Sequence, residues 1–161
     1  MATSMIACTY RYFLGRNVAD GGVNPRTLGW VMLNPSTADE LTDDPTIRRV
    51  IRFTRDAGYS DLLVCNLFAM RATRPVHLLE AQDPVGQSNW LALRSLMAGC
   101  DSVVCAWGAW PEGRDVPTIG LVQRYAAIQG VNLLSLGVTK GGSPRHPLYV
   151  KADTPFRLWR P

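Results

Sequence analysis

Lysine is almost missing from this chain. Of its 17 basic residues only Lys140 and Lys151 are lysine, and the other fifteen are arginine. Further scarcities exclude whole classes of function. The four cysteines, Cys8, Cys65, Cys100 and Cys105, show no C-x-x-C spacing, which argues against a zinc or iron–sulfur centre, so no metal is expected. Cys65 and Cys105 fall inside apolar runs, where a free thiol behaves as a small hydrophobe. No G-x-G-x-x-G follows a strand-like run and no G-x-x-x-x-G-K-[ST] occurs, so neither standard cradle for a nucleotide cofactor is present and none is expected. No apolar run approaches the roughly 20 residues of a membrane span. The opening residues lack the charged and apolar regions of a signal peptide. A cytoplasmic protein with reduced thiols and no membrane partner is expected, folded as one domain over residues 1–161.

What is present fits that frame. Apolar residues make up 47% of the chain and charged ones 19%, the composition of a soluble globular protein. The formal charge of +4 is carried by Arg, which holds phosphate oxygens bidentately and stacks on bases. The balance leans towards a nucleic acid or nucleotide partner, with plain solubility as the alternative.

Strand-like and helix-like segments alternate. Thr9 to Leu14 alternates as an opening strand at an edge, and Leu28 to Leu33 is a buried strand that runs into Asn34-Pro35-Ser36-Thr37. Asp44 is placed as an N-cap with Pro45 at the first helical position. Ile47, Val50, Ile51, Thr54 and Ala57 form the apolar side of that helix, with Gly58 at its end. Its other side carries Arg48, Arg52 and Arg55, with Arg49 beside them. Asp61 to Phe68 reads as a central parallel strand. A short helical turn follows at residues 76–80, then a helix from a start at Asp83-Pro84 to about Gly99. Ser102 to Gly108 is a third buried strand, Pro117 opens a helix to Gly130, and Val131 to Gly137 is the last clear strand. No element is predicted after the loop 140–147. The alternation predicts a three-layer α/β/α domain around a mostly parallel sheet of four to five strands.

Several polar residues stand where apolar ones are the rule. Asn34 ends a strand, either as a turn former or with its amide facing a ligand or a water. Asn66 interrupts an apolar strand, and a buried amide without partners costs on the order of 1–3 kcal/mol. Either neighbouring backbone satisfies it, or it presents a donor and an acceptor to something planar such as a base edge. Trp107-Gly108 ends the third strand as core or as a stacking platform, with Gly108 suggesting close approach of another backbone. His146 is held between Pro144 and Pro147 in a restricted loop, whereas His77 has no such setting. The Arg48/Arg52/Arg55 stripe is a solvated face or a phosphate contact.

The order strand–Asn-Pro, strand–Asn, strand–Trp-Gly, loop–His-Pro resembles the layout of the uracil-DNA glycosylase superfamily. Leu33-Asn34-Pro35-Ser36 is similar to the Gly-Ile-Asn-Pro-Gly motif of its mismatch-specific branch, which positions the hydrolytic water. Leu62-Leu63-Val64-Cys65-Asn66 resembles the strand whose Asn reads the extruded base. Ala106-Trp107-Gly108 is similar to the Leu-Trp-Gly of the uracil-specific branch. His146-Pro147 matches the start of the His-Pro-Ser motif, whose His stabilises charge on the departing base. Met32 and Ser36 replace the two glycines of the first motif, the aspartate of the uracil-specific branch is absent at Asn34, and Leu148-Tyr149 replaces Ser-Pro. These departures point away from uracil.

From about residue 10 to 150 the chain also resembles a bacterial and phage family, number 1643 among the domains of unknown function. The phrases that carry this likeness are Trp30 to Ala38, Asp43-Asp44-Pro45-Thr46-Ile47-Arg48-Arg49, Asn66 to Thr73, and Pro144-Arg145-His146-Pro147-Leu148-Tyr149. Taken together, the resemblances imply a uracil-DNA-glycosylase-like fold and hydrolysis of an N-glycosidic bond. Asn34 and His146 are then catalytic, and Asn66, Trp107 and Gly108 bind the base. Ser36, Thr37, Arg48, Arg52 and Arg145 contact phosphate, and Asp39, Asp43 and Asp44 are spare carboxylates. Two alternatives stay open: a non-catalytic protein that binds a nucleotide or modified DNA, and an enzyme acting on a free nucleotide or another small phosphorylated substrate.

Overall fold

In β2 (Thr27–Met32) the side chains alternate between two cores. Leu28, Trp30 and Met32 face one side, and Val31 faces the other. The same parity runs through β3 (Asp61–Asn66), with Leu62 and Val64 opposite Cys65, and through β4 (Ser102–Cys105), with Val104 opposite Val103 and Cys105. A strand buried on both faces needs apolar residues at odd and even positions alike, which is why these segments read as near-continuous hydrophobic runs. The computed structural model describes residues 10–20, 22, 24–36, 42–110 and 115–160.

Helix α1 (Pro45–Asp56) covers one face through Ile47, Val50 and Phe53. Asp44 caps it, its Oδ1 accepting from the Ile47 N–H at 2.8 Å. A buried polar pair ties the helix to the sheet: the Trp30 indole donates to Thr54 Oγ1 (3.0 Å), which donates to the Val50 carbonyl (2.8 Å). The other face is covered by α3 (Asn89–Gly99) and α4 (Pro117–Gln129), while α2 (Pro75–Glu80) is a short helix after β3. A Cβ at Gly29 would lie 2.9 Å from Val103 Cγ2 and 3.1 Å from Cys100 Sγ. Glycine there lets α3 and β4 close on β2. No helix among the described residues is long and apolar enough to cross a membrane.

Among the described residues the sheet has six strands and is mixed, in the order β1-β3-β2-β4-β5-β6. The pairs β2–β3, β2–β4 and β4–β5 are parallel, and the two edge strands are antiparallel to their neighbours. The expected four to five strands are therefore exceeded. The additional one is β6 (Arg157–Leu158), only two residues long and exposed, too short to leave any alternation in the sequence. It pairs with β5 (Asn132–Ser135).

The opening strand also lies elsewhere than expected. Strand β1 is Leu14–Asn17, while Tyr10 forms an isolated β-bridge to Met70. Tyr10 and Tyr12 stack with ring centroids 6.1 Å apart, so their alternation reflects ring packing rather than a ladder. Strand β3 lies between the antiparallel β1 and the parallel β2, and β2 holds the more central place. Helix α3 starts at Asn89, not at Asp83-Pro84, because Asp83 closes a turn by accepting from the Gly86 N–H at 2.9 Å.

Candidate functional site

Because β2, β3 and β4 are parallel, their carboxyl ends emerge together, the usual place for a ligand in an open α/β sheet. There a cleft of about 330 Å³ opens, lined by Arg11, Asn34, Ser36, Asn66, Trp107 and His146 and rimmed by Leu148 and Tyr149. Five of the residues singled out from sequence thus meet at one place. The volume lies at the lower end of the range for small-ligand sites.

Asn66 is the last residue of β3 and continues the face of Leu62 and Val64 towards α1. It is 3% exposed, and among the described residues its side-chain amide has no hydrogen-bond partner. Its main chain, by contrast, is firmly held. The buried Asn89 donates from Nδ2 to the carbonyls of Asn66 (2.9 Å) and Leu67 (3.1 Å), fixing the strand's exit. A buried amide without a protein partner carries a desolvation cost that a water or a ligand in the cleft would offset.

Asn34 is bonded differently. Its Nδ2 donates to the carbonyls of Pro35 (2.9 Å) and Ala72 (2.7 Å), pinning the loop after β2 to the loop after β3. Both amide hydrogens are occupied, so Oδ1 is the atom left to meet a ligand, and only as an acceptor. The turn reading describes the Nδ2 end of this amide, and the Oδ1 end is the acceptor that the ligand reading requires.

His146 stands at the start of a short 3₁₀ turn, Pro147–Tyr149, and its Nδ1 accepts from the Leu148 N–H at 3.2 Å. A backbone N–H can only donate, so Nδ1 is unprotonated and the remaining proton sits on Nε2. Burial of the ring pushes the imidazole below its ordinary pKa, and the Asp44 carboxylate opposes this in part. The cleft is therefore given a neutral imidazole with one donor. Gly108, at φ +76°, lies behind this loop. Its N–H donates to the Pro144 carbonyl (2.9 Å), and a Cβ on it would sit 3.2 Å from His146 Cβ. Trp107 touches the cleft, but its ring packs edge-on against Trp159 at 5.1 Å in the core.

The expected phosphate ligands are mostly not gathered. Arg48 donates to the Asp43 carbonyl (2.7 Å), and Arg52 pairs with Asp56 (3.6 Å) on the exposed side of α1. Arg145 braces its own loop by donating to the Val138 carbonyl (2.9 Å). None of the three lines the cleft, because each is drawn to polar groups close to it in sequence. Ser36 does line it, with its hydroxyl donating to Asp44 Oδ2. Thr37 and Asp39 lie outside the described residues. Asp44 uses both oxygens, on Ile47 and Ser36, and Asp43 is held by Arg16 at 2.8 Å, so neither stands free as a base.

Three residues not proposed from sequence belong to the site. Arg11 supplies a cation to the cleft wall. Asn89 holds β3's exit. Arg49 donates to the carbonyls of Pro147 (3.3 Å) and Val150, clamping the His146 loop onto α1 while its guanidinium lies 5.3 Å from the Phe53 ring centre. Its position four residues before Phe53, at the border of the apolar face, was the one signal available for it.

The chain belongs to a family. Residues 11–148 match the family described as a protein of unknown function, DUF1643. No curated protein and no solved structure matches the chain. The four phrases singled out in the sequence now have a spatial meaning. Asn34 is bonded to Ala72, Ser36 to Asp44 and Arg49 to Pro147, so three direct bonds link the four phrases around one cleft.

Proposed function

We propose that the cleft takes a nucleobase and that the protein hydrolyses an N-glycosidic bond in a nucleic acid or nucleotide, as a uracil-DNA-glycosylase-like enzyme for a modified or non-uracil base. The observation that carries this reading is Asn66: a buried amide, without a side-chain partner among the described residues, in the same cleft as the neutral His146. Asn66 offers one donor face and one acceptor, the pattern that a base edge answers. In the reaction the bond between the sugar's anomeric carbon and the base nitrogen breaks, with oxocarbenium character on the sugar. The electron pair leaves with the base, and His146 Nε2–H donates to the oxygen on which that charge gathers. Water, held by Asn34 Oδ1, adds to the anomeric carbon, and its released proton balances the base anion.

One observation favours a second reading, non-catalytic binding of a nucleotide or modified DNA. Among the described residues no carboxylate lines the cleft, and an amide cannot serve as a general base. Base release from oligonucleotides and mononucleotides bearing varied bases separates the two. The catalytic reading expects release by the wild type, reduced by about 10²–10³ in His146→Ala, the usual cost of one charge-stabilising donor. Binding without release supports the second reading. Release from mononucleotides without gain from a longer chain indicates an enzyme of free nucleotides, and steep salt dependence with oligonucleotides a polymer substrate. Asn66→Ala and His146→Ala variants that both bind and act like the wild type place the site elsewhere.

A further inference from the structure

Helices α3 and α4 differ from α1 in what they show to solvent. α1 exposes Arg48, Arg52, Arg55 and Asp56, whereas α3 and α4 contain no Asp or Glu, and Arg94 and Arg124 are their only charges. Trp90, on α3, is 45% exposed and Ile128, on α4, 66%. With Leu121 and Tyr125 they form the apolar part of a groove of about 350 Å³ that also takes in both arginines. Neither guanidinium has an ion pair or hydrogen bond among the described residues. Along α4 the residues Leu121, Arg124, Tyr125 and Ile128 follow i, i+3, i+4, i+7, one stripe along the groove in which Arg124 and Ile128 are exposed and Leu121 and Tyr125 half-buried.

We infer that this groove is a docking surface for an acidic amphipathic helix of another protein. Charge selects the occupant. Two copies of this chain meeting through this face would bring four guanidinium groups together with no carboxylate from either helix, so a second copy is disfavoured. A nucleic acid backbone calls for a row of cations, and this face has two among four apolar side chains. An apolar stripe flanked by carboxylates matches both features, lying in the groove as a third helix with acids against Arg94 and Arg124. Trp, Tyr and Arg are the residue types that carry most of the affinity in such interfaces. The inference does not depend on the reaction proposed for the cleft.

The test uses the full chain and a displayed library of helical peptides about four turns long, with the charged positions randomised. Enriched peptides are expected to carry Asp or Glu flanking an apolar stripe. Their affinity should fall at least tenfold in Arg94→Glu and in Arg124→Glu, a loss of about 1.4 kcal/mol. Exchanging the peptide's acids for Lys should restore binding to the Arg94→Glu/Arg124→Glu chain. Both arginines are exposed, so the thermal transition should be unchanged, and Trp90→Ala gives an independent loss of binding. The inference is overturned by enriched peptides indifferent to these substitutions, by a wild-type dimer that dissociates in Trp90→Ala, or by an oligonucleotide that binds at Arg94 and Arg124.

Discussion

Leu148 donates its backbone N–H to Nδ1 of His146, two residues earlier, at 3.2 Å. That bond closes the start of the 3₁₀ turn and sets the proton on the far ring nitrogen. Burial acts in the same direction by lowering the pKa. As the pH falls through 6.5, the ordinary value, the unfolded chain takes up the proton first and the folded chain resists it. The His146 contribution to stability is therefore fully present above pH 6.5. It is lost progressively between that value and the lower folded pKa. Urea unfolding at a series of pH values should show stability rising with pH across this window, with the slope reduced in His146→Gln. An NMR titration in which the His146 ring shifts at or above pH 6.5 would contradict the assignment.

Asn66 yields a test in which stability and function part company. Its side-chain amide has no partner among the described residues, so Asn66→Leu trades a desolvated polar group for an apolar one of similar size. The ligand-free protein should be unchanged or more stable by about 1 kcal/mol, while ligand binding is lost. Thermal unfolding decides the first part. A drop of about 1–3 kcal/mol would show that the amide was bonded within the fold after all.

Arg49 and Pro147 are joined across 98 positions of sequence. Arg49→Ala should cost about 1–2 kcal/mol by removing charge-assisted bonds to two carbonyls. Arg49→Lys should recover only part, because an ammonium cannot fork between them. The site-specific readout is hydrogen exchange at Tyr149, whose N–H donates to the His146 carbonyl at 3.0 Å. Its protection should fall more than that of β2 amides.

At Gly108 both conformation and space favour glycine. Gly108→Ala places a Cβ on a residue at φ +76°, 3.2 Å from His146 Cβ. The left-handed backbone alone should cost about 1–2 kcal/mol. The displaced neighbour is the His146 loop, so binding in the cleft should weaken together with stability. Stability equal to the wild type in chemical denaturation would argue against the loop packing described here.

The local features of the fold were readable in the chain. Apolar runs marked β2, β3 and β4, and Asp44-Pro45 with the spacing of Ile47 and Val50 marked α1, because periodicity and caps act within a few residues. Asn34, Asn66 and His146 were also conspicuous, since a polar residue at a strand end, inside an apolar strand or between prolines stands out without any partner. The division of labour among the arginines was not readable. Arg48, Arg52 and Arg145 looked like phosphate ligands, yet each meets an oxygen of its own neighbourhood, while Arg49 and Arg11 reach the site. A guanidinium goes where the nearest unsatisfied acceptor lies, and for Arg49 that acceptor is nearly a hundred residues away along the chain.

The same reason separates the two asparagines. By itself the sequence set Asn34 at the end of one strand and Asn66 inside another, because strand propensity and turn chemistry are properties of short segments. Tertiary structure alone decided that Asn34 would pin two loops together and that Asn66 would be buried with its amide open to a cleft, because hydrogen-bond satisfaction depends on which backbone arrives beside it in space.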